Sequence, residues 1–269
     1  MKKNRLFFII EARVTSKRLP GKVLKKIFRD YLSIDYVIKN IINAGINKEN
    51  IILATPISNK NIKLWSHVEK KYKIKIFKGS EENVFRRIFD CCKKYNIKSF
   101  ARITSDNIML DPIFIKKVVK QFNKNNIEYI ASNTLEHSIS WKENSDYNEG
   151  SSIEILNADL LKKIKHLVNK NNCEYPTWLI FSKPNKFKLQ KIKLIKEYRK
   201  SNIKNYRTTL DTLEDLKFLR AVSKKLNLVP GQNNLLKILK NPNKIKLYTK
   251  INKNIKKKLA YKIVGKKKR

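Results

Sequence analysis

Leu6-Phe-Phe-Ile-Ile10 is an unbroken apolar run with no polar residue at alternate positions. A strand of that kind needs cover on both faces, and such strands belong to parallel sheets flanked by helices. The run therefore argues against a sheet with one wet face. The segments behind it agree. Tyr31 to Asn43 places apolar residues at helical spacing, and Ala44-Gly45 supplies a helix stop. Asn50-Ile-Ile-Leu-Ala-Thr55 is a short strand ending at Pro56, residues 59–72 read as a helix, and Ile74-Lys-Ile-Phe77 as a third strand. A βαβαβ order predicts a parallel sheet with right-handed crossovers. Further strands are expected at Ser99 to Thr104, Ile127 to Ser132 and Gly150 to Ile155, with a strand-rich return after Phe187. Helices are expected from Pro112, over Asn157 to His166, and from Phe218 to Asn241 with a break at Pro230-Gly231.

Open α/β sheets bind ligands at the C-terminal ends of their strands. The first strand is followed by Glu11-Ala-Arg-Val-Thr-Ser-Lys-Arg-Leu-Pro-Gly-Lys22, then Val23-Leu24 and a polar linker into the first helix. Arg13, Lys17, Arg18 and Lys22, the hydroxyls of Thr15 and Ser16, and a Pro-Gly turn fall within this loop. Guanidinium forks, ammonium groups and free backbone N–H groups suit a polyphosphate. A solvated basic loop is the plain alternative, and the G-x-x-x-x-G-K-S/T phosphate loop is absent. Two aspartates also stand at strand ends. Asp106 follows the fourth strand, where a cap or turn role is the ordinary explanation. Asp211 precedes Thr212, which caps a helix with Glu214 and Asp215 in its first turn. Capping accounts for those three residues and leaves Asp211 unexplained. Ser80 is read as the cap of another helix, with Glu81 and Glu82 in its first turn.

The net charge of +40 would suit a nucleic-acid binder. Lys, Asn and Ile are enriched together, however, as AT-rich codons produce, and no aromatic platform is interleaved with the basic residues. No nucleic-acid partner is expected, although a positive field draws in small anions. Cys91, Cys92 and Cys173 form no C-x-x-C pair, and with the scattered His67, His137 and His166 they suggest neither a disulfide framework nor zinc. No run of 18 apolar residues is present, so no membrane span is expected. The opening apolar run is too short for a signal peptide, and a cytoplasmic location is expected.

The motif A-R-x-x-S-x-R-L-P-G-K resembles the signature loop of the cytidylyltransferases that activate acidic sugars. These include the CMP-Kdo and CMP-sialic acid synthetases and, most similar, the spore coat polysaccharide biosynthesis protein F family. Ala12, Arg13, Ser16, Arg18, Leu19, Pro20, Gly21 and Lys22 match it, whereas Glu11 and Thr15 stand where the family usually has Gln and Gly. Gly79-Ser-Glu-Glu-Asn83 with Arg87 is similar to the family's G-S-E-E-D-V-L-x-R. Arg102-Ile-Thr-Ser-Asp-Asn-Ile-Met-Leu-Asp-Pro112 is similar to R-I-T-G-D-x-P-L-x-D-P, with Ser105 for Gly and Ile108 for Pro. Glu154 matches the Glu of G-x-D-x-E, Ser152 replacing the Asp. Glu174 and Thr177 match R-E-H-V-T-P, while Cys173, Tyr175, Pro176 and Trp178 do not. Arg207-Thr-Thr-Leu-Asp-Thr-Leu-Glu-Asp-Leu216 is similar to R-x-T-V-D-T-P-E-D-L.

The resemblance implies a nucleotide-diphosphosugar-transferase-like, Rossmann-like three-layer sandwich over residues 1–245. A basic tail or helix, residues 246–269, would follow. It implies transfer of CMP from CTP to a nonulosonic or Kdo-like sugar, with release of pyrophosphate, for cell-surface polysaccharide biosynthesis. Arg13, Lys22, Asp106 and Asp211 would be catalytic. Ala12, Arg13, Ser16, Arg18, Lys22, Ser80 and Asp106 would bind nucleotide. Arg87, Arg102, Glu154 and Glu174 would serve the sugar, under an excursion at residues 133–150, and Arg102 could equally serve the fold. Asp106 and Asp211 would hold Mg²⁺. The partners implied are CTP, the acidic sugar and a second copy in a homodimer. Three alternatives stand beside this reading: a catalytically weakened relative, a glycosyltransferase or sugar-1-phosphate nucleotidyltransferase on the same fold, and a basic polyanion-binding protein.

Overall fold

The computed structural model describes residues 5–124, 127–132, 147–148, 150–174, 177–181, 186–192, 196–198 and 207–241. Most of the expected excursion at 133–150, the Tyr175-Pro176 pair and the basic tail at 246–269 lie outside the described residues.

The strands are β1 (Leu6–Glu11), β2 (Lys26–Phe28), β3 (Tyr31–Leu32), β4 (Ile51–Pro56), β5 (Lys75–Gly79), β6 (Ser99–Thr104), β7 (Tyr129–Ala131), β8 (Glu154–Asn157) and β9 (Leu189–Lys191). The helices are α1 (Ser33–Asn43), α2 (Ile62–Tyr72), α3 (Val84–Lys94), α4 (Pro112–Lys124), α5 (Asp159–Ile164), α6 (Trp178–Phe181), α7 (Leu213–Leu226) and α8 (Asn234–Leu239). Seven strands form the main sheet in the order β5-β4-β1-β6-β8-β7-β9. β1 pairs in parallel with β4 and β6, and β4 with β5. β8 runs antiparallel to both of its neighbours. The fold is thus the expected three-layer α/β sandwich on a mostly parallel sheet.

The apolar run of β1 is split between two cores. Phe8 and Ile10 join Leu53, Ile103, Ile34, Val37 and Phe114 on one face, and Phe7 and Ile9 join Ile52, Phe100, Phe85, Ile88 and Leu160 on the other. Complete burial of each such side chain contributes roughly 1.5–3 kcal/mol. This two-sided cover fixes β1 at the centre of the sheet. It places Glu11, the last residue of the strand, level with Ala54 on one side and Thr104 on the other.

Two local readings are corrected. The polar linker after Leu24 is an antiparallel hairpin, β2–β3, whose turn residue Arg29 takes a left-handed φ of 51°. Its strands are too short to show a period of two, and α7 holds it in place through Arg220 Nε donating to the Lys26 carbonyl at 2.8 Å. The cap of α3 is Asn83, not Ser80. Asn83 accepts from Arg86 N–H at 2.8 Å, while Ser80 Oγ accepts from Asn83 N–H at 3.2 Å in the turn before it. Glu81 and Glu82 are exposed and precede the helix rather than filling its first turn.

Candidate active site

The loop after β1 turns back on itself. Gly21 N–H donates to the Val14 carbonyl at 2.9 Å, and Gly21 sits at φ 68°, a left-handed conformation that suits the residue without a Cβ. Val14 N–H is held by Asn61 Oδ1 at 3.0 Å. A single 3₁₀ turn, Lys22–Leu24, then directs Lys22 toward the ends of the neighbouring strands. Its Nζ lies 2.9 Å from Asp106 Oδ2 and 2.8 Å from Asp211 Oδ1. Arg18 reaches the same Asp211 Oδ1 at 3.0 Å, from a side chain that is 53% exposed.

Each aspartate is braced from behind. Thr104 Oγ1 donates to Asp106 Oδ1 at 2.6 Å. Arg207 forks onto Asp215 at 3.0 and 3.2 Å and also reaches Asp211 Oδ2 at 3.4 Å. Thr212 and Asp215 form a reciprocal capping box at the start of α7, fixing where the segment carrying Asp211 turns. Leu210 N–H donates to the Asp106 carbonyl at 3.1 Å, so the two aspartate-bearing segments are bonded to each other directly. Burial opposes ionisation of Asp106. The Lys22 charge, with hydrogen bonds from Lys22 and Thr104, outweighs it and holds the carboxyl below the usual aspartate value. Burial likewise opposes the Lys22 charge, and Asp106 and Asp211 together raise its pKa instead.

A third segment wedges between the aspartates' supports. Asn107 Nδ2 donates to both the Ser152 carbonyl and its Oγ at 3.0 Å, and Asn148 Nδ2 donates to Thr208 Oγ1 at 2.7 Å. Gly150 at φ 105° lies so close that a Cβ there would meet Thr209 N at 2.2 Å and the Thr208 carbonyl carbon at 2.4 Å. Ser105, where the resembled motif has Gly, is not among the described residues of positive φ and donates its N–H to the Glu11 carbonyl at 3.0 Å.

The other expected site residues fall into a second cluster and a looser fringe. Arg102 Nε and Nη2 donate to Glu11 at 2.5 and 3.1 Å, and its Nη1 to Glu154 at 3.0 Å. Glu154 also accepts from Tyr129 OH at 3.0 Å and Thr177 Oγ1 at 2.9 Å. Burial works against the Arg102 charge, but Glu11 and Glu154 more than compensate and raise its pKa. Arg102 and Glu154 thus spend their charges on each other and on Glu11. Arg13 and Glu174 are partly exposed and only 3.7 Å apart. Arg87 is buried, donates from Nη1 to the Ser80 carbonyl at 2.5 Å and leaves Nε without a partner. Burial lowers its pKa, which Glu11 opposes and Arg13 reinforces. Ala12 is buried with its N–H on the Ala54 carbonyl at 3.3 Å, and Ser16 is partly buried in the loop. Sequence reasoning did not single out Glu11 as a partner for Arg102, nor Thr104 and Arg207 as supports for the aspartates. Thr104 and Arg207 stand inside the quoted motifs, two and four residues before the aspartates they hold.

Among the described residues no group of three or more His, Cys, Asp or Glu side chains could hold a metal. Asp106 and Asp211 nevertheless both reach one cation, the Lys22 ammonium. Two carboxylates sharing a cation are an adequate protein contribution for Mg²⁺, which completes its shell with waters and substrate phosphates. A cavity of about 330 Å³ beside Arg5, Gly45 and Asn123 lies at the opposite end of β1 and holds none of these groups. No helix among the described residues is long and apolar enough to cross a membrane.

A mostly parallel sheet, with a basic loop leaving its central strand and two carboxylates meeting at its C-terminal edge, describes a nucleotide-handling transferase. Solved structures share the fold. A cytidylyltransferase from Leptospira borgpetersenii superposes with a TM-score of 0.75 at 26% identity, covering 90% of this chain and 97% of that one. A CMP-2-keto-3-deoxy-manno-octonic acid synthetase complexed with CTP gives 0.56 at 14% identity, covering 82% and 99%. The chain belongs to the cytidylyltransferase family, which it matches over residues 7–245. It is 27% identical to the spore coat polysaccharide biosynthesis protein SpsF of Bacillus subtilis over 229 residues, 82% of this chain and 88% of that one. It is 28% identical to an uncharacterized protein of Methanocaldococcus jannaschii over 222 residues, 82% and 84% respectively.

Proposed function

We propose that the chain moves CMP from CTP to a hydroxyl of an acidic sugar and releases pyrophosphate, supplying an activated sugar for polysaccharide assembly. The observation that carries this reading is the convergence of Lys22, Asp106 and Asp211 at the C-terminal edge of the sheet. The family, and the polysaccharide role in the name of the Bacillus subtilis relative, support it.

The residues divide the work. Arg13, Arg18, Lys22 and the backbone N–H groups of the loop bind the triphosphate, with Ala12, Ser16 and Ser80 shaping its surroundings. Asp106 and Asp211 would hold Mg²⁺, which when bound neutralises charge on the α-phosphate and makes the sugar hydroxyl more acidic. The sugar oxygen attacks the α-phosphorus, and the bond to the bridging oxygen of the β-phosphate breaks. Arg18 and Lys22 stabilise the charge that appears on the departing pyrophosphate. Arg13, 3.7 Å from Glu174, and Arg87, bonded to a backbone carbonyl, serve the substrate's anionic groups, and Glu174 accepts from its hydroxyls. Arg102 and Glu154 act through the scaffold, since each already has an oppositely charged partner within 3.0 Å.

Calorimetry with CTP, UTP, ATP and GTP, with and without Mg²⁺, tests the nucleotide half. Selective CTP binding that strengthens with Mg²⁺ and weakens in Asp106→Ala is the expected result, followed by pyrophosphate release with 3-deoxy acidic sugars. Equal binding of all four nucleotides, indifferent to Asp106→Ala, would defeat the proposal.

A further inference from the structure

The position of Lys22 carries an inference beyond its part in phosphate binding. Its ammonium makes two ion pairs of under 3 Å, to Asp106 Oδ2 and Asp211 Oδ1, and is largely shielded from water at 12% exposure. These are the two carboxylates assigned above to the divalent cation. Among the described residues the cluster's charges also balance. Asp106, Asp211 and Asp215 face Lys22, Arg18 and Arg207, three charges against three. A dication entering this cluster would bring two uncompensated charges against an ammonium already at contact distance, in surroundings that screen poorly.

We propose that Lys22 is an exchangeable counter-ion for the aspartate pair, and that the divalent cation enters only as a bound triphosphate draws the ammonium away. The inference rests on the functional reading given above. Lys22 has the means to move: a flexible four-carbon stem, and a start in a single 3₁₀ turn directly after Gly21. The triphosphate supplies both the destination for the ammonium and the negative charge that lets a dication replace it. Metal and nucleotide then bind with positive coupling, and by linkage each strengthens the other by the same factor. Arg207 remains on Asp211 throughout, and the exchange leaves the loop's backbone bonds in place.

The test is a Mn²⁺ titration followed by the electron paramagnetic resonance of the free ion, on the whole protein, without nucleotide and with a non-hydrolysable CTP analogue. Wild type is expected to bind Mn²⁺ at least tenfold more tightly with the analogue than without it. Lys22→Met is expected to bind Mn²⁺ alone at least tenfold more tightly than wild type does, and to lose most of the coupling. Lys22→Arg keeps a cation at the position and is expected to bind Mn²⁺ alone as weakly as wild type. Thermal melting of both variants shows that they are folded. Equal affinity of wild type and Lys22→Met for Mn²⁺ alone overturns the exchange. So does tight binding by Lys22→Arg. Because these comparisons need no nucleotide, they stand apart from the functional reading, which fails instead if the wild type ignores the analogue.

Discussion

Two groups of cations and carboxylates lie next to each other at the ends of β1 and β6, and they differ in how far their outer members are enclosed. In the first, Arg102 lies between Glu11 and Glu154, and Glu154 takes further hydrogen bonds from Tyr129 and Thr177. Its members come from β1, β6, β7, β8 and the segment leading into α6, so it fastens five pieces of chain at one point. In the second, Lys22 lies between Asp106 and Asp211, but Arg18 is half in solvent and Asp106 is 22% exposed. Each charged member of the first already has an oppositely charged partner within 3.0 Å. In the second, Lys22 and Asp211 are as enclosed as Arg102, and only Arg18 and Asp106 stay within reach of water. Similar ingredients are therefore enclosed throughout in one place and open at two members in the other, and on the proposed function the open one is the reactive edge.

Removing a carboxylate from the open group gives the largest effect on turnover. Asp106→Ala is expected to lower kcat/KM for pyrophosphate release by about 10³-fold, on the order of 4 kcal/mol in barrier height. Its effect on the denaturation midpoint is expected to be smaller than that of breaking the Arg102 group, because Asp211 remains to balance Lys22. A severe loss of stability with activity retained in the surviving folded fraction would erase the distinction between the two groups.

Arg102→Met should do the reverse. It strands Glu11 and Glu154 in a poorly solvated place, and breaking one side of such a pair costs about 3 kcal/mol. Urea unfolding is expected to show that loss, while the folded fraction keeps its affinity for CTP. A variant of normal stability that no longer binds the acidic sugar would return Arg102 to the substrate-binding role the resemblance suggested. Gly150→Ala probes the wedge that serves the open group without belonging to it. A positive φ and a backbone contact at 2.2 Å predict a cost of about 2 kcal/mol, together with slower turnover as the segment carrying Asp211 shifts. Normal unfolding and normal kinetics in this variant would show that the wedge does not position the aspartate.

The contrast also shows which parts of the molecule could be read from its residues. The sheet was legible because β1 carries five apolar residues in a row, and only two-sided burial explains them. The open group was legible because a basic loop and two strand-end aspartates fall where α/β sheets bind ligands. The closed group was only half legible. Arg102 and Glu154 looked like separate candidates and Glu11 like a mere departure from the family's Gln, because pairing across β1, β6 and β8 is set by strand order and register, which no local pattern encodes. The cap of α3 was misplaced for a related reason. Ser80 and Asn83 are both competent caps, and hydrogen bonding within the turn decides between them. The β2–β3 hairpin is shorter than any period that could announce it.

Another buried carboxylate measures what a paired cation does, because it has none among the described residues. Asp111 accepts from Ile113 N–H at 2.8 Å through Oδ1, at the start of α4, but its Oδ2 is buried without a donor in hydrogen-bond geometry. Burial pushes its pKa up to about 6, and nearby donors, the Leu236 backbone and Tyr198, offset only part of that. Asp106, with Lys22 against it, shifts in the opposite direction. The sign for stability follows. The folded state holds its proton to higher pH than the unfolded chain does, so Asp111 lowers stability as pH rises from about 4 to about 6, and the loss is complete above that. Asn keeps the acceptor that caps α4 and carries no charge. Asp111→Asn is expected to stabilise the protein by up to about 2 kcal/mol at pH 8 and by almost nothing near pH 4, measured by urea unfolding of both proteins at each pH. A gain of the same size at both values would mean that the charge of Asp111 is not what the fold resists. The difference between Asp111 and Asp106 would then come from packing rather than from the presence of a cation.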